Sequence, residues 1–277
     1  MLLSDSIQVF FIDREHELSQ RTQELYGYIY SKLIEHIGDK PVADVSKTDI
    51  QSYLKSLTGL SNRSKNVHYQ AIRSLYAYLT FEQIVTDNVA AQVRQPKFNK
   101  LHPVCLTDDE VRLVLAYTKN NKRLDAIVKL AIDSGARIGE VIAIKTQDID
   151  TKTGKLVLTG KGSKRRTVFI SKQAIKAIIL YRSGLNSEYL FITNTGNPLI
   201  RTQIQRDMVV MSTKIGVKVH FHLFRHYYAQ TAIKQGMSLL QLSHVLGHKS
   251  PEVTLEYLRT LQADTSDMVQ YSPLDNL

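Results

Sequence analysis

Residues 134–140 read SGARIGE and residues 222–226 read HLFRH. Working outward from these two stretches, Lys161 stands in TGKGSKRR, His248 in LGHKS and Tyr257 in TLEYL, so polar residues of complementary chemistry follow one another through the second half of the chain. Together they supply cations for a phosphate, proton donors and a nucleophile, which is the set required for metal-free attack on a phosphodiester. The diester's negative charge repels nucleophiles, and its pentavalent transition state spreads more charge over the equatorial oxygens, so fixed donors aimed there lower the barrier. Arginine suits this task because its planar guanidinium grips two oxygens at once and stays charged at physiological pH. Each residue alone has an ordinary alternative. Arg137 pairs naturally with Glu140 at i+3 on a helix surface, His248 follows Gly247 as a residue past a helix C-cap does, and Tyr257 has the amphipathic character of a half-buried side chain. Order and spacing distinguish the readings.

On those residues the segment from about Cys105 to Arg259 resembles the catalytic domain of the tyrosine recombinase, or phage integrase, family. That family's pattern is an Arg in an A-R-x-G-E box, a Lys on a β-hairpin, H-x-x-R-H opening a helix, L-G-H, and a Tyr nine residues beyond that last His. Here Arg137 sits in G-A-R-I-G-E, Lys161 follows 24 residues later, His222 and Arg225 form H-L-F-R-H, and Tyr257 stands nine residues after His248. One departure is F-R-H-Y-Y where many relatives read L-R-H-T-F, which bears on packing.

The resemblance implies that Tyr257 attacks a DNA phosphate to leave a 3′-phosphotyrosine and a free 5′-hydroxyl. It assigns Arg137 and Arg225 to the non-bridging oxygens, His222 to proton transfer around the nucleophile, His248 to a hydrogen bond with the phosphate, and Lys161 to protonation of the leaving 5′-oxygen. Glu140 and His226 are supporting residues of the same motifs. These roles suit the groups: a phenol has a pKa near 10 and needs an acceptor or strong cations nearby, and a lysine beside other cations gives up its proton more readily. The covalent link keeps the phosphodiester's energy, so no ATP, metal or other cofactor is implied. The implied partners are a double-stranded DNA target site and a homotetramer in the synaptic complex, passing through a Holliday junction. The free protein is expected as monomer or dimer, with accessory DNA-bending or directionality proteins admitted.

Composition points the same way. With 36 Lys and Arg against 26 Asp and Glu the net charge is +10, which fits a polyanionic partner. Between Thr151 and Ser187 stand nine basic residues and no acidic one, including Lys164, Arg165 and Arg166, read here as a phosphate-tracking surface. The N-terminus MLLSDSIQVFFIDREHE has Asp5 and Asp13 within its apolar stretch and no cationic start, so it is not a signal peptide, and no uncharged run reaches membrane-spanning length. A cytoplasmic, nucleoid-associated protein is expected. The single cysteine, Cys105, excludes an internal disulfide and a cysteine-based zinc site.

A chain of 277 residues favours two domains. From Asn88 to Thr107 there is no acidic residue, and Pro96 and Pro103 discourage helix. We place a helical domain at 1–94, a basic linker at 95–104 carrying Lys97 and Lys100 after Arg94, and the catalytic domain at 105–277, with a tail from about 258. Within the first domain, helical patterns run from about Ser19 to Ile37, from a cap at Ser46 with Asp49 three residues later, and from Asn62 to Thr80. The last sets Ile72, Leu75, Tyr76 and Leu79 on one face and Lys65, His68, Gln70 and Arg73 on another, the latter expected toward DNA. By resemblance this is a SAM-like core-binding domain, half of a clamp, and the short chain favours the two-domain, Xer-like type.

The catalytic half reads as α-rich with a small antiparallel sheet, so the fold class is mainly α: a helical domain plus an α+β domain. Thr107 with Glu110 opens a helix, Asp125 to Ser134 forms a second, and the next carries Arg137 and Glu140. KLVLTG and RRTVFI form a hairpin around Lys161–Lys164, with Gly160 and Gly162 at its tip. Ser250 and Pro251 open the helix of Tyr257. GKLVLTGKG is not a phosphate-binding P-loop: five residues, not four, separate its glycines, and a Gly follows Lys161. His220, His222 and His226 lack the carboxylate or thiolate company expected of a metal site. Two alternatives stay open: type IB topoisomerase-like strand relaxation, and a non-catalytic DNA-binding protein of the same fold. The sparse apolar residues after Tyr257 (Leu261, Met268, Val269, Tyr271, Leu274) are expected to dock on a neighbouring catalytic domain.

Overall fold

In a computed structural model, residues 1–98, 105–160, 162–247 and 254–255 are described. Lys100, Lys161, His248, Tyr257, the Ser250–Pro251 pair and the tail from 258 lie outside these residues. The chain divides into two compact units, Met1–Lys100 and Leu101–Leu277.

The first unit is helical. It contains α1 (Leu3–Asp13), α2 (Gln20–Ile37), α3 (Lys47–Ser56) and α4 (Asn62–Phe81), with 3₁₀ turns at Val42–Asp44 and Val89–Gln92. Local chemistry sets the starts. Ser19 and Ser61 cap α2 and α4, and at α3 the reciprocal Ser46–Asp49 box forms. Residues 3–13, beyond the helical patterns expected for this unit, form α1 because Leu3, Ile7 and Phe10 share one face and are buried together. The core is rich in tyrosine, and Tyr30, Tyr53, Tyr76 and Tyr78 each place the hydroxyl on a polar partner. Tyr30 donates to the Ala71 carbonyl at 2.9 Å and Tyr76 to the Val42 carbonyl at 3.2 Å. One expectation is corrected here. His68 is 7% exposed and its Nδ1 lies 2.7 Å from the Tyr53 hydroxyl, so it belongs to the core and not to the polar face of α4. Burial lowers its pKa and keeps it a neutral partner for the phenol. Arg73, Arg94 and Lys97 are exposed and Lys65 is half-buried. Residues 93–98 carry no helix or strand and lie along α4, where Asn66 and Asn62 donate to the carbonyls of Pro96 and Lys97.

The second unit has the small antiparallel sheet that the patterning predicts, among more helices. α5 (Asp108–Thr118) opens with the Thr107–Glu110 capping box, and α6 (Lys122–Ser134) follows. α6 starts earlier than the apolar pattern implies because Asn121, not Asp125, makes the cap. Buried on nearly every side, it is the central helix of this core. It ends at Gly135 in the left-handed region, φ +58°. A Cβ there would lie 2.8 Å from side-chain atoms of both Leu246 and Tyr228, so space as well as backbone requires glycine. After α7 (Ile138–Ile142) come β1 (Ile149–Asp150), β2 (Lys155–Thr159) and β3 (Arg165–Phe169), in the order β1-β2-β3. β1 is an addition to the expected hairpin. The β2–β3 register pairs Leu156 with Val168 and Leu158 with Arg166. α8 (Lys172–Arg182), α9 (Arg201–Ile215), α10 (Phe221–Lys234) and α11 (Leu239–Leu246) complete the described unit. α11 packs on α10 through Leu242, Leu246, Ala229 and Ala232. Among the described residues no helix is long and apolar enough to cross a membrane.

Candidate active site

The SGARIGE stretch is built around its turn. After Gly135 reverses the chain, Arg137 takes the cap position of α7, just before the helix and not within it, and its backbone N–H donates to Glu140 Oε2 at 2.8 Å. The Arg137 side chain is 42% exposed and touches Glu140 Oε1 at 3.2 Å. Its guanidinium is thus oriented at one end and open at the other.

HLFRH lies on the first turns of α10. Arg225 is 1% exposed, and two of its donors meet the backbone: Nη1 donates to the Gly135 carbonyl at 2.8 Å and Nη2 to the Leu246 carbonyl at 2.7 Å. Arg137 Nη1 reaches the same Leu246 carbonyl at 3.3 Å, and Arg166 Nε reaches the Val245 carbonyl at 2.6 Å. Three arginines therefore meet the C-terminus of α11. The last carbonyls of a helix have no partner within it and form the negative end of its dipole, so this terminus collects guanidinium groups. The residue that follows, Gly247, directly precedes His248 in the chain.

His222 and His226 lie one helical turn apart, ring centroids 4.5 Å apart and edge to face. Burial lowers the His222 pKa, and the charges of Arg225, His220 and Arg137 lower it further. His226 is pushed down to about 4, first by burial and then by the neighbouring imidazoles and Arg225. His226 therefore stays neutral through the range where free histidine becomes charged, and His222 takes up its proton at a lower pH than free histidine does. If His222 works as a neutral acceptor, the acid limb of the single-turnover cleavage rate will be centred below the ordinary imidazole value of about 6.5, because activity is lost only as the lowered His222 pKa is reached. An acid limb centred at or above that value would show that this imidazole is not the group being read.

Arg137, Glu140, Arg166 and His222 line an open cleft of about 910 Å³ together with Lys164, Arg165, Arg201 and His244, while Arg225 and His226 lie behind its wall. Among the described lining residues Glu140 is the one acid. Burial pushes its carboxyl up, but the Arg166 hydrogen bonds, the Arg137 N–H and both guanidinium charges outweigh that and hold it below its usual range. The cleft is strongly positive. Arg201 and His244 escaped the sequence reading. Arg201 sits in NPLIRTQ with no motif around it, and only the fold brings it to Gly139, where a Cβ would lie 3.2 Å from Arg201 Nη2. His244 stands four residues before His248 in sequence.

The expected DNA contacts divide. Lys164 and Arg165 are exposed on the hairpin, with Arg165 loosely paired to Asp148 at 3.3 Å. Arg166 departs from expectation. It is 9% exposed and makes a bidentate pair with Glu140, Nη1–Oε1 2.7 Å and Nη2–Oε2 2.8 Å. The signal was present in RRTVFI: Arg166 shares strand parity with the buried Val168 and Ile170, whereas Arg165 shares it with exposed Thr167 and Phe169. The rival tyrosines are also placed. Tyr227 donates to Asp108 Oδ1 at 2.8 Å, and Tyr228 packs against the Gly135 turn. Burial raises the pKa of each phenol, and for Tyr227 the Asp108 carboxylate adds to the effect. Burial likewise pushes the Cys105 thiol up to about 11, away from reactivity. Among the described residues no group of metal-ligating side chains is gathered.

The sequence profile of the phage integrase family matches residues 104–263, and that of the phage integrase N-terminal SAM-like domain matches residues 8–86. The chain is 30% identical over 265 residues to the tyrosine recombinase XerA of Pyrococcus furiosus, covering 92% of this chain and 89% of that one. The fold resembles the Tn1549 transposon integrase in complex with transposon right end DNA, with TM-score 0.81 and 17% identity over 100% of this chain and 99% of that one. It also resembles a lambda integrase tetramer bound to a Holliday junction, with TM-score 0.77 and 19% identity over 91% of this chain and 78% of that one.

Proposed function

We infer the reaction from the premise that this chain belongs to the phage integrase family: it is a tyrosine recombinase, an enzyme that cuts and rejoins DNA strands at a specific site. The observation that carries the reading is the convergence of Arg137 and Arg225 on one carbonyl, that of Leu246, at the edge of a cationic cleft. Arg137 is open to the cleft and Arg225 stands directly behind it, so that exchange of the shared Leu246 carbonyl for phosphate oxygens as DNA binds would let the two guanidiniums clamp a phosphate whose charge grows in the transition state.

In this reading the Tyr257 oxygen attacks phosphorus, its proton passing to an acceptor such as neutral His222, while Arg137 and Arg225 neutralise the non-bridging oxygens. His226 supports the His222 ring edge to face. His248 donates to the phosphate. The P–O5′ bond breaks as Lys161 protonates the leaving oxygen, which leaves a 3′-phosphotyrosine. Attack by another strand's 5′-hydroxyl reverses each transfer, returning the protons and restoring the diester without ATP. Four strands break when two duplexes exchange, and each needs one Tyr257, so we propose four protomers in the synapse and a monomer or dimer when free. Accessory DNA-bending or directionality proteins fit this scheme, and the place of action is the cytoplasmic nucleoid. The SAM-like helical domain favours recombination over topoisomerase-like relaxation, and a site furnished with neutral imidazoles beside paired arginines exceeds what binding alone requires.

Incubation with a library of random duplexes, each nicked so that a cut strand is lost, will trap one DNA sequence covalently on the protein. A plasmid bearing two copies of that sequence will then yield two circles. Relaxation of a plasmid lacking the sequence, at the same rate, would replace this reading with the topoisomerase one.

A further inference from the structure

The Glu140–Arg166 pair joins three segments that lead to different parts of the site. Glu140 reaches back to the Arg137 N–H, Arg166 extends from β3, and its Nε holds the Val245 carbonyl near the end of α11. Two glycines press against the pair. A Cβ on Gly160 would lie 3.3 Å from Glu140 Oε1, and one on Gly247 would lie 3.2 Å from Arg166 Nη1. Gly160 directly precedes Lys161, and Gly247 directly precedes His248. Each end of the ion pair therefore abuts the backbone unit from which one of these residues departs.

A buried ion pair is a modest source of net stability, because desolvation offsets most of its attraction. What it does supply is direction. A planar fork bonded to two carboxylate oxygens and one carbonyl admits little rotation, and lysine, with a single point of charge, does not reproduce that geometry. We propose that Arg166 is a positioning residue: with Glu140 it holds the hairpin end leading into Lys161, the α11 terminus leading into His248 and the cap of Arg137 in one fixed relation, and it makes no contact with DNA. The proposal rests on reading Lys161 as the proton donor to the leaving oxygen.

The test uses the full chain and the trapped duplex, made with either oxygen or sulfur at the scissile 5′ position. A thiolate leaves without protonation, so sulfur removes the need for a general acid. Arg166→Lys and Glu140→Gln will cut the oxygen substrate more slowly, on the order of 10²-fold for a misplacement of about 1 Å, and the sulfur substrate will restore most of that rate. Site affinity and its salt dependence will stay near wild type, whereas Lys164→Ala and Arg165→Ala will weaken binding, each flattening the salt slope by about one contact. Gly160→Ala pushes on the carboxylate without removing a charge and will show the same rescue, which keeps the test open if the Arg166 variants fold poorly. Rescue of Lys161→Ala by sulfur, without rescue of the Arg166, Glu140 and Gly160 variants, overturns the positioning role and leaves the reading of Lys161 standing. Failure to rescue Lys161→Ala itself overturns that reading and this proposal with it. A flattened salt slope in Arg166→Lys makes Arg166 a DNA contact after all and sinks the proposal.

Discussion

Tyr257→Phe will bind its DNA site as the wild type does and form no covalent adduct. The substitution removes one oxygen and keeps the ring, so the packing of the side chain changes little, while the atom that would bond to phosphorus is gone. The residual rate falls to that of the gel background, because no general acid or phosphate clamp compensates for a missing nucleophile. The two other candidates near the motif are poorly prepared for the task. Tyr227 is hydrogen-bonded to Asp108, and burial holds both the Tyr227 and Tyr228 phenols above their ordinary pKa. A denaturing gel of the nicked duplex decides the matter. A labelled strand still retained by Tyr257→Phe, and lost from a phenylalanine variant at position 227 or 228, would transfer the assignment to that tyrosine.

Arg137→Ala and Arg225→Ala will both slow cleavage by roughly 10² to 10³-fold, the scale of losing one donor to a developing oxyanion, but they will differ in stability. Arg137 is 42% exposed, and the carbonyl it shares keeps Arg225 as a donor, so its removal leaves little unsatisfied. Arg225 is 1% exposed and donates to the Gly135 carbonyl from the interior. Its truncation strands that acceptor, at about 1–3 kcal/mol for a buried polar group left unpaired, and opens a void beneath the turn that positions Arg137. Thermal melting should therefore show Arg225→Ala lowered by several degrees and Arg137→Ala close to wild type, with site binding similar for both folded proteins. Equal melting temperatures would mean that Arg225 is not the support of this turn. Equal loss of binding in both would mean that the guanidiniums serve affinity and not the transition state.

How far the sequence could be read depended on the range of the interaction. The capping boxes Ser46–Asp49 and Thr107–Glu110 were recognisable because both partners lie within one turn, and the structure forms both. The hairpin was recognisable from two short apolar runs about glycines, and its strands pair as expected. His68 was misread because the helical pattern of α4 identifies an apolar stripe but not its width, and Tyr53, which takes His68 into the core, comes from a different helix. Arg166 was misread through its company. In a run of basic residues charge spoke for the surface, while strand parity, which placed it inward, was left unused.

The sequence by itself determined the kind of chemistry available, since Arg137, His222 and Arg225 are chemically suited to a phosphate wherever they lie, and it determined the helical character of both halves through periodicity and caps. Tertiary structure alone decided which charges face the cleft and which support it. Arg137, Arg166 and Arg225 are equivalent as letters, yet one is open to the cleft, one is locked to a buried carboxylate and one is closed within the core. The physical reason is that a guanidinium acquires its role from the acceptors that meet it. Here those are the carbonyls at the end of α11, supplied from positions up to 109 residues away in the chain, a pairing that no local pattern encodes.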